Sequence, residues 1–479
     1  MATKTPKLHY FQYDKWMNDP NGLIFHNGIY HLYYQCNPDS KYWGNIGWGH
    51  ATSEDLITWT EQPHALPAKP GAMIFSGSIA APDDAHSKGN EKASLYAFYT
   101  VCDYDPQRLQ SDNVLDIQNQ RQHLALSDDN GITWNEYRNN PLIHIGSTEF
   151  RDPKVQQLAD GEWLMLVARS LDHKIDFYYS EDLLSWTLTS TFTQCPFQKG
   201  AWECPDLILL CPQENIWCLM LSVDRGFANN GSGVIYMLGN LVDKAFVINT
   251  AYMGGNAYVR LDHGPDFFAP QSFFHNGQLS KPLMLGWLNS WLYAKEMPAQ
   301  SLPMMQSVPR ELGLVKVDDQ CYLLSQHPAL SQAKVSESST QTVSGLYSQQ
   351  ALFSDIPGTF LWEAEIHNFD QGQLSLSIVD AELSLVTIVI DSDEKTMRIS
   401  RHTGDFFEAA NTDYEAPYLS LTSMMDISIL ADCHSVEIFV NQGTTVFSLR
   451  LSSAMDNVSL LAESTASNLK LQSTLSQFK

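Results

Sequence analysis

The segment His31-Leu32-Tyr33-Tyr34-Gln35 is the first of five short apolar stretches that decide the fold of this 479-residue chain. All five are rich in aromatic and aliphatic side chains, a composition that favours buried strands. The other four stretches are 95–100, 163–168, 217–222 and 283–288, and successive stretches start 54 to 68 residues apart. Such a long period predicts a five-bladed β-propeller with these strands buried near its central axis. A β-sandwich is the alternative all-β architecture.

A second repeat accompanies the first. Ser53-Glu54-Asp55-Leu56-Ile57-Thr58-Trp59 recurs with small changes at 127–134 and at 180–186. Each copy is an acidic turn followed by a tryptophan, a pattern that predicts a turn closing a strand. The repetition indicates that one structural unit recurs along the chain.

The texture of the sequence changes after Arg310-Glu311. Residues 331–349 are rich in Ser, Thr and Gln and predict a connector. Beyond them apolar and polar residues alternate, and the stretches 436–440 and 445–449 flank a turn as a hairpin would. The predicted fold is therefore all-β, with a five-bladed propeller domain over 1–330, a connector over 331–349 and a β-sandwich over 350–479.

Composition limits the partners. A net charge of −25 argues against nucleic acids and anionic membranes, and no stretch of 18 apolar residues predicts a transmembrane helix. The 8 scattered cysteines contain no Cys-x-x-Cys pair, which favours reduced thiols over a zinc site or a disulfide framework. No signal peptide is visible in residues 1–10. These features predict a cytoplasmic location, or secretion if a leader has been removed.

A carboxylate between two amides stands in Trp16-Met17-Asn18-Asp19-Pro20-Asn21-Gly22. Pro20 biases Asp19 toward an extended conformation, and Asn21-Gly22 is a turn signal. We therefore expect a turn that holds Asp19 rigidly at the end of a short strand. Taken alone, the composition of the segment favours an ordinary structural turn over a catalytic one.

Two other carboxylates occupy similar settings. Asp152 lies between Arg151 and a proline, and Glu203 lies between Trp202 and Cys204 with a proline close behind. Taken singly, these acids fit a structural ion pair and a carboxyl group bonded to backbone. Taken with Asp19, they are expected in successive sectors of the propeller, around one axial pocket.

Three such acids suit the hydrolysis of a glycosidic bond, which needs one ionised carboxylate and one carboxyl group that keeps its proton. Apolar neighbours raise the pKa of a carboxyl group, so Glu203 is the expected acid. Asp19, whose anion can accept hydrogen bonds from amides, is the expected nucleophile. Asp152, braced by Arg151, is expected to stay ionised and to bind sugar hydroxyl groups.

Several segments resemble glycoside hydrolase family 32, which contains invertases, sucrose-6-phosphate hydrolases, levanases and inulinases. The segments are 16–22, 75–78, 149–153, 202–205, 262–271, 286–287 and 309–311. The resemblance implies a five-bladed propeller followed by a β-sandwich, and retaining hydrolysis of terminal β-D-fructofuranosides through a covalent fructosyl-enzyme. It implies Asp19 as nucleophile, Asp152 as transition-state stabiliser and Glu203 as acid/base, with no metal or organic cofactor.

The resemblance also implies which residues contact the fructose ring: Asn18, Gln35, Trp43, Phe75, Ser76, Arg151 and Trp287. Packing in the core is the alternative role for Phe75 and Trp287. Segments 37–45 and 231–236 resemble the invertase and fructan hydrolase branch more than the sucrose-6-phosphate branch. Sucrose and short fructo-oligosaccharides are therefore the expected substrates. Inulin or levan, sucrose-6-phosphate, fructosyl transfer and a sugar-binding propeller without activity are the alternatives, and a monomer and a homodimer both stay open.

Overall fold

The computed structural model describes residues 4–82, 93–106, 116–227, 231–275, 277–297, 301–381, 383–402, 413–418 and 424–478. The first three residues of the N-terminal segment 1–10 thus lie outside the described residues. Strands dominate, and the one helix among the described elements is the short 3-10 helix Thr250–Met253. No helix in the described part of the chain is long and apolar enough to cross a membrane.

Five antiparallel sheets, here called blades 1 to 5, follow one another along the first two thirds of the chain. Blade 1 contains Trp16–His26, Ile29–Asn37, Gly47–Ser53 and Thr60–Glu61. Blade 2 contains Ala72–Ala80, Leu95–Tyr104, Ile117–Ser127, Asn135–Glu136 and Ile143–Ser147. Blade 3 contains Phe150–Gln157, Trp163–Arg169, Lys174–Ser180 and Thr187–Phe192.

The last two blades continue the pattern. Blade 4 contains Ala201–Cys211, Ile216–Asp224, Gly233–Val242, Ala245–Ile248 and Val259–Arg260. Blade 5 contains Phe268–Ser272, Leu283–Trp287, Arg310–Lys316 and Tyr322–Pro328. A separate two-stranded sheet pairs Phe11–Gln12 with Met304–Met305. The first strand of each blade contacts the first strands of its two neighbours, and blade 5 closes the ring against blade 1, as in a propeller.

The five apolar stretches that predicted this period are confirmed as strands, but each is the second strand of its blade. The strand before it is the innermost one, and Asp19, Asp152 and Glu203 lie on these innermost strands. The second strands are the most apolar because a neighbouring strand covers each edge and neighbouring blades cover both faces. The innermost strands are more polar because they border the axial cavity.

The acidic repeat is also confirmed as one recurring turn, between the third and fourth strands of blades 1 to 3. In blade 1, Asp55 accepts hydrogen bonds from the backbone of the turn, and the Trp59 indole donates to the carbonyl of Leu56 at 3.1 Å. The same indole bond, also 3.1 Å long, joins Trp134 to Gly131 and Trp186 to Leu183.

Two six-stranded sheets form the C-terminal β-sandwich. In spatial order, one contains Val335–Ser344, Lys470–Phe478, Thr359–His367, Met424–Asp432, Ser435–Val440 and Thr445–Arg450. The other contains Gln350–Pro357, Asn457–Ser464, Gln373–Asp380, Leu383–Asp391, Thr396–Arg401 and Asp413–Pro417. The segment 331–349, expected to be a connector, thus contains an edge strand. Its Ser- and Thr-rich composition does not distinguish a strand exposed on both faces from a linker.

Charged side chains join the propeller to the sandwich, and we call this set the interface cluster: His9, Asp262, Arg310, Asp432 and Glu437. Arg310 donates to Asp262 at 3.1 Å and to Glu437 at 2.5 Å. The two ring nitrogens of His9 lie 2.8 Å from carboxylate oxygens of Asp432 and Glu437. Two of the segments that resemble the family, 262–271 and 309–311, therefore contribute to the contact between domains.

Candidate active site

A cavity of about 490 Å³ opens where the innermost strands begin, at one end of the propeller axis. It is lined by residues of blades 1 to 4 and of the segment after blade 5's second strand: Asn18, Asp19, Gln35, Trp43, Phe75, Ser76, Ile117, Gln120, Glu149, Arg151, Asp152, Glu203, Asp224, Arg225, Trp291 and Lys295. A cavity of this size lies in the range of small-molecule sites.

Each innermost strand contains a β-bulge, and in blades 1 to 4 the bulge lies beside residues that line this cavity. The register of the ladder shifts between Met17 and Pro20 in blade 1, and between Arg151 and Lys154 in blade 3. It also shifts between Phe75 and Gly77, between Glu203 and Asp206, and between Phe268 and Gln271. Four of the five bulges contain a proline, which suits a bulge because it has no N–H to donate to the ladder. The prolines that attracted notice in the sequence therefore mark bulges.

The turn expected after Asp19 is absent. Residues Trp16–His26 form one continuous strand in which Asn21 is fully buried. Gly22 has a positive φ of 49°, and a Cβ there would lie 2.7 Å from Ile79 of the next blade. Asn21-Gly22 is therefore a second bulge packed between blades, where local composition resembles that of a turn.

Asp19 is buried, with 8% of its surface exposed, and it is held by side chains of two blades. Asn18 donates to one carboxylate oxygen at 3.0 Å, and the Ser76 hydroxyl donates to the other at 2.9 Å. Burial, with repulsion from Asp152, raises the pKa of Asp19 to about 6, and the bonds from Asn18 and Ser76 oppose the rise. The carboxylate is thus ionised at neutral pH and fixed in orientation.

Asp152 is also buried, and backbone groups position it. Its own N–H donates to the Thr100 hydroxyl at 3.0 Å, and the N–H of Cys204 donates to its carboxylate at 2.9 Å. Burial raises the pKa of Asp152, although the charge of Arg151 opposes the rise. Arg151 thus supports this carboxylate by its charge, as expected, but its guanidinium donates hydrogen bonds to two other carboxylates.

Arg151 donates to Glu149 at 2.6 Å through Nη1 and to Glu203 at 2.8 Å through Nη2. The side chain of Glu203 is 18% exposed. Burial, with repulsion from Asp224, Asp152 and Asp19, raises the pKa of Glu203 to about 8 even though Arg151 opposes the rise. Glu203 therefore holds a proton at neutral pH, in the direction expected from the sequence.

The three acids occupy blades 1, 3 and 4, so they are not in successive sectors. Blade 2, between the first two, contributes Ser76. The thiol of Cys204 lies 3.6 Å from carboxylate oxygens of both Asp19 and Asp152, which places these two acids side by side.

Of the ten residues singled out in the sequence, nine line the cavity and Trp287 does not. Trp287 is fully buried, and its ring lies 4.9 Å from that of Trp291, which reaches the cavity instead. Lys295 stands 4.7 Å from the ring of Trp43 at the opening. Sequence reasoning missed Trp291, Lys295, Asp224 and Arg225, because no motif distinguishes them. Glu149 belongs to the segment 149–153 that resembles the family, but no role was predicted for it.

Comparisons with known proteins agree with this architecture. Residues 9–328 match the glycosyl hydrolases family 32 N-terminal domain, and residues 326–475 match the family 32 C-terminal domain. The extracellular exo-inulinase of Aspergillus awamori is 31% identical over 94% of this chain and 90% of its own length. The invertase of Wickerhamomyces anomalus is 33% identical over 65% of this chain and 57% of its own length.

Solved structures superpose over nearly the whole chain. The crystal structure of exo-inulinase from Aspergillus awamori gives a TM-score of 0.87 at 29% identity, covering 99% of this chain and 98% of the other. The fructofuranosidase of Schwanniomyces occidentalis complexed with fructose gives a TM-score of 0.85 at 25% identity, covering 100% of this chain and 99% of the other.

The predicted cytoplasmic location is contradicted by these relatives, since the exo-inulinase that matches 94% of the chain is extracellular. The prediction rested partly on the expectation that the cysteines are free thiols. All 8 cysteines lie among the described residues and are free, but six of them are buried. Buried thiols are protected from oxidation, so their reduced state does not report the compartment.

Proposed function

The chain belongs to the glycosyl hydrolases of family 32, and from that premise we propose that it is a retaining β-fructofuranosidase acting on sucrose and short fructo-oligosaccharides. The observation that carries the proposal is the placement of two carboxyl groups with different partners in one cavity. Asp19 accepts hydrogen bonds from Asn18 and Ser76, which favour its anion, whereas burial and three neighbouring carboxylates raise the pKa of Glu203. This is the combination that retaining hydrolysis needs.

In the first step, Asp19 attacks the anomeric carbon C2 of the terminal fructosyl unit. The bond from C2 to the leaving oxygen breaks, and Glu203 gives its proton to that oxygen. A covalent fructosyl-enzyme results. Glu203, now a carboxylate, then takes a proton from water, and the resulting hydroxide displaces Asp19 with net retention.

Seven other lining residues supply recognition of the sugar. Asp152, with its carboxylate fixed by Cys204 N–H, accepts hydrogen bonds from the fructose hydroxyl groups. Asn18, Gln35 and Ser76 offer amide and hydroxyl partners for the same ring. Trp43 and Phe75 offer apolar faces to the C–H bonds of the ring. Arg151, which is bonded to Glu203, binds sugar hydroxyl groups from that side of the cavity.

Action on long fructans from the chain end is the second candidate, because the exo-inulinase relative matches both domains of this chain. Both candidates share the fructosyl site and differ in the leaving group. A hydrolysis panel of sucrose, sucrose-6-phosphate, 1-kestose, inulin and levan separates them.

We expect fructose release from all non-phosphorylated substrates, with the highest kcat/KM on sucrose or 1-kestose. A higher kcat/KM on inulin or levan would favour the second candidate. NMR of the first product formed should show the β-anomer. An α-anomer, or no release of fructose from any sugar in the panel, would reject the proposal.

A further inference from the structure

We infer that Glu149 is a positioning residue that sets the proton affinity of Glu203 by sharing the guanidinium of Arg151. The inference rests on the proposed role of Glu203 as the acid. Glu149 lies two residues before Arg151, where blade 3 begins.

The geometry divides one cation between two carboxylates. Nη1 of Arg151 donates to Glu149 at 2.6 Å, and Nη2 donates to Glu203 at 2.8 Å. Gln120 accepts from the same Nη1 at 3.3 Å and also accepts from the backbone N–H of Phe150 at 2.8 Å. The guanidinium is thus held in one orientation, with one end aimed at each glutamate.

The backbone of Glu149 is fixed as well. Its N–H donates to the Ser147 hydroxyl at 3.0 Å, and its carbonyl accepts from the N–H of Ser170 at 3.2 Å. The side chain of Glu149 is 30% exposed, against 18% for that of Glu203. Glu149 therefore competes with Glu203 for Arg151 from the more hydrated side of the guanidinium.

Other charges around Glu203 set the background for this competition. Asp19 faces it from blade 1, Asp152 from blade 3 and Asp224 from blade 4, and all three disfavour its ionised form. Arg225 is bonded to Asp224, and Lys295 stands over Trp43 at the opening. Arg151 is thus the cation bonded to Glu203, and its division with Glu149 decides how strongly the Glu203 anion is stabilised.

The test is the pH profile of Glu149→Gln, which keeps the shape and the hydrogen-bond acceptor of the side chain. Loss of the Glu149 charge leaves the full charge of Arg151 on Glu203, so the pKa of Glu203 falls. We expect the alkaline limb of kcat/KM to move down by about one pH unit, with activity near that of the wild type on the acidic side of the profile. On the alkaline side the loss should reach about tenfold.

Two matched variants make the test specific. Glu149→Asp keeps the charge and should restore the alkaline limb to within a few tenths of a unit. Glu162→Gln removes the same charge from a turn of the same blade, where Glu162 pairs with Lys244, and should leave the profile unchanged.

An unmoved limb in active Glu149→Gln overturns the inference, as does an equal loss of activity at every pH. A rise in KM alone also overturns it, because it would make Glu149 a simple sugar contact. If the wild type releases no fructose at all, the proposed function fails first and the inference fails with it, so the two failures are distinguishable.

Discussion

The molecule contains two buried clusters of carboxylates around an arginine, and the pKa values of key carboxyl groups are shifted in opposite directions in the two clusters. In the axial cavity, burial and neighbouring carboxylates raise the pKa of Glu203 to about 8 and that of Asp19 to about 6. In the interface cluster, burial alone would raise the pKa of Glu437, but Arg310 and His9 lower it to about 2.

The difference lies in the partners and not in the burial. Glu437 accepts hydrogen bonds from Arg310, from the ring of His9 and from a backbone N–H. Glu203 shares the guanidinium of Arg151 with Glu149 and faces three further carboxylates. A carboxylate that two cations bond, such as Glu437, stays ionised and joins the domains, whereas a carboxylate that shares one cation with another carboxylate, such as Glu203, retains a proton for chemistry. The predictions below alter one cluster at a time.

The largest effect is expected for Asp19→Asn. The amide has the same size but is too weak a nucleophile to form the covalent intermediate, so kcat/KM on sucrose should fall at least about 10⁴-fold. Fructose release gives the rate, and calorimetry should still show sucrose binding. Asp14→Asn, at an exposed position of the preceding segment, is the control. Retention of more than a few per cent of the activity would contradict the role of Asp19.

Glu203→Gln should slow turnover of sucrose by about 10²- to 10⁴-fold, because the leaving oxygen loses its proton donor. The loss should be much smaller for an aryl fructoside whose leaving group needs no proton. Comparing the two substrates isolates acid catalysis from damage to the fold. Equal losses on both would argue against Glu203 as the acid.

In the interface cluster, Glu437→Gln should leave turnover per folded molecule unchanged but lower stability. It removes the carboxylate that Arg310 and His9 share and leaves each of them with one carboxylate partner, Asp262 and Asp432; breaking a buried pair typically costs about 3–5 kcal/mol. Urea or thermal unfolding measures the loss. Glu365→Gln is the control, since Glu365 is 54% exposed in the same domain. Equal stability of the two variants would show that the cluster does not hold the domains.

The smallest effect concerns pH. Burial alone would lower the pKa of His9, but its bonds to Asp432 and Glu437 raise it to about 9 in the folded protein, above its ordinary value of 6.5. The stability that the His9 charge contributes is therefore fully present below pH 6.5 and is lost as the pH rises through 9.

The melting temperature of the wild type should exceed that of His9→Gln by a few degrees at pH 6, and the difference should shrink by pH 9. A difference that is constant over this range would mean that His9 acts by packing alone.

Sequence reasoning predicted the fold class and the grouping of the three acids around one cavity for a physical reason. Buried strands must be apolar, which makes the period visible, and prolines are confined to special positions in sheets, which marks the strands that carry Asp19, Asp152 and Glu203. Both signals are local. Both can be read from the sequence without knowledge of which strands are neighbours in the fold.

What failed depends on contacts between blades. Asn21-Gly22 has turn composition, yet Ile79 of blade 2 makes it a bulge. Trp287 and Trp291 are both aromatic and four residues apart, and only packing decides that Trp291 reaches the cavity. Arg151 is adjacent to Asp152 in sequence but bonds Glu203 from the next blade. Such pairings follow from the closed ring, which no short segment encodes.

The chain segment that contains His9 also affects the order in which contacts between the domains can form during synthesis. The backbone N–H groups of Lys7 and Leu8 donate to Asp432, and the ammonium of Lys7 donates to the carbonyl of Phe478 at 3.0 Å. In the chain these residues precede the propeller, whereas their partners follow it in the sandwich, so they are synthesised before it and their partners after it. During synthesis, the segment that contains Lys7 and Leu8 therefore lacks these partners when the propeller forms. It can bind the sandwich only after the sandwich has been translated.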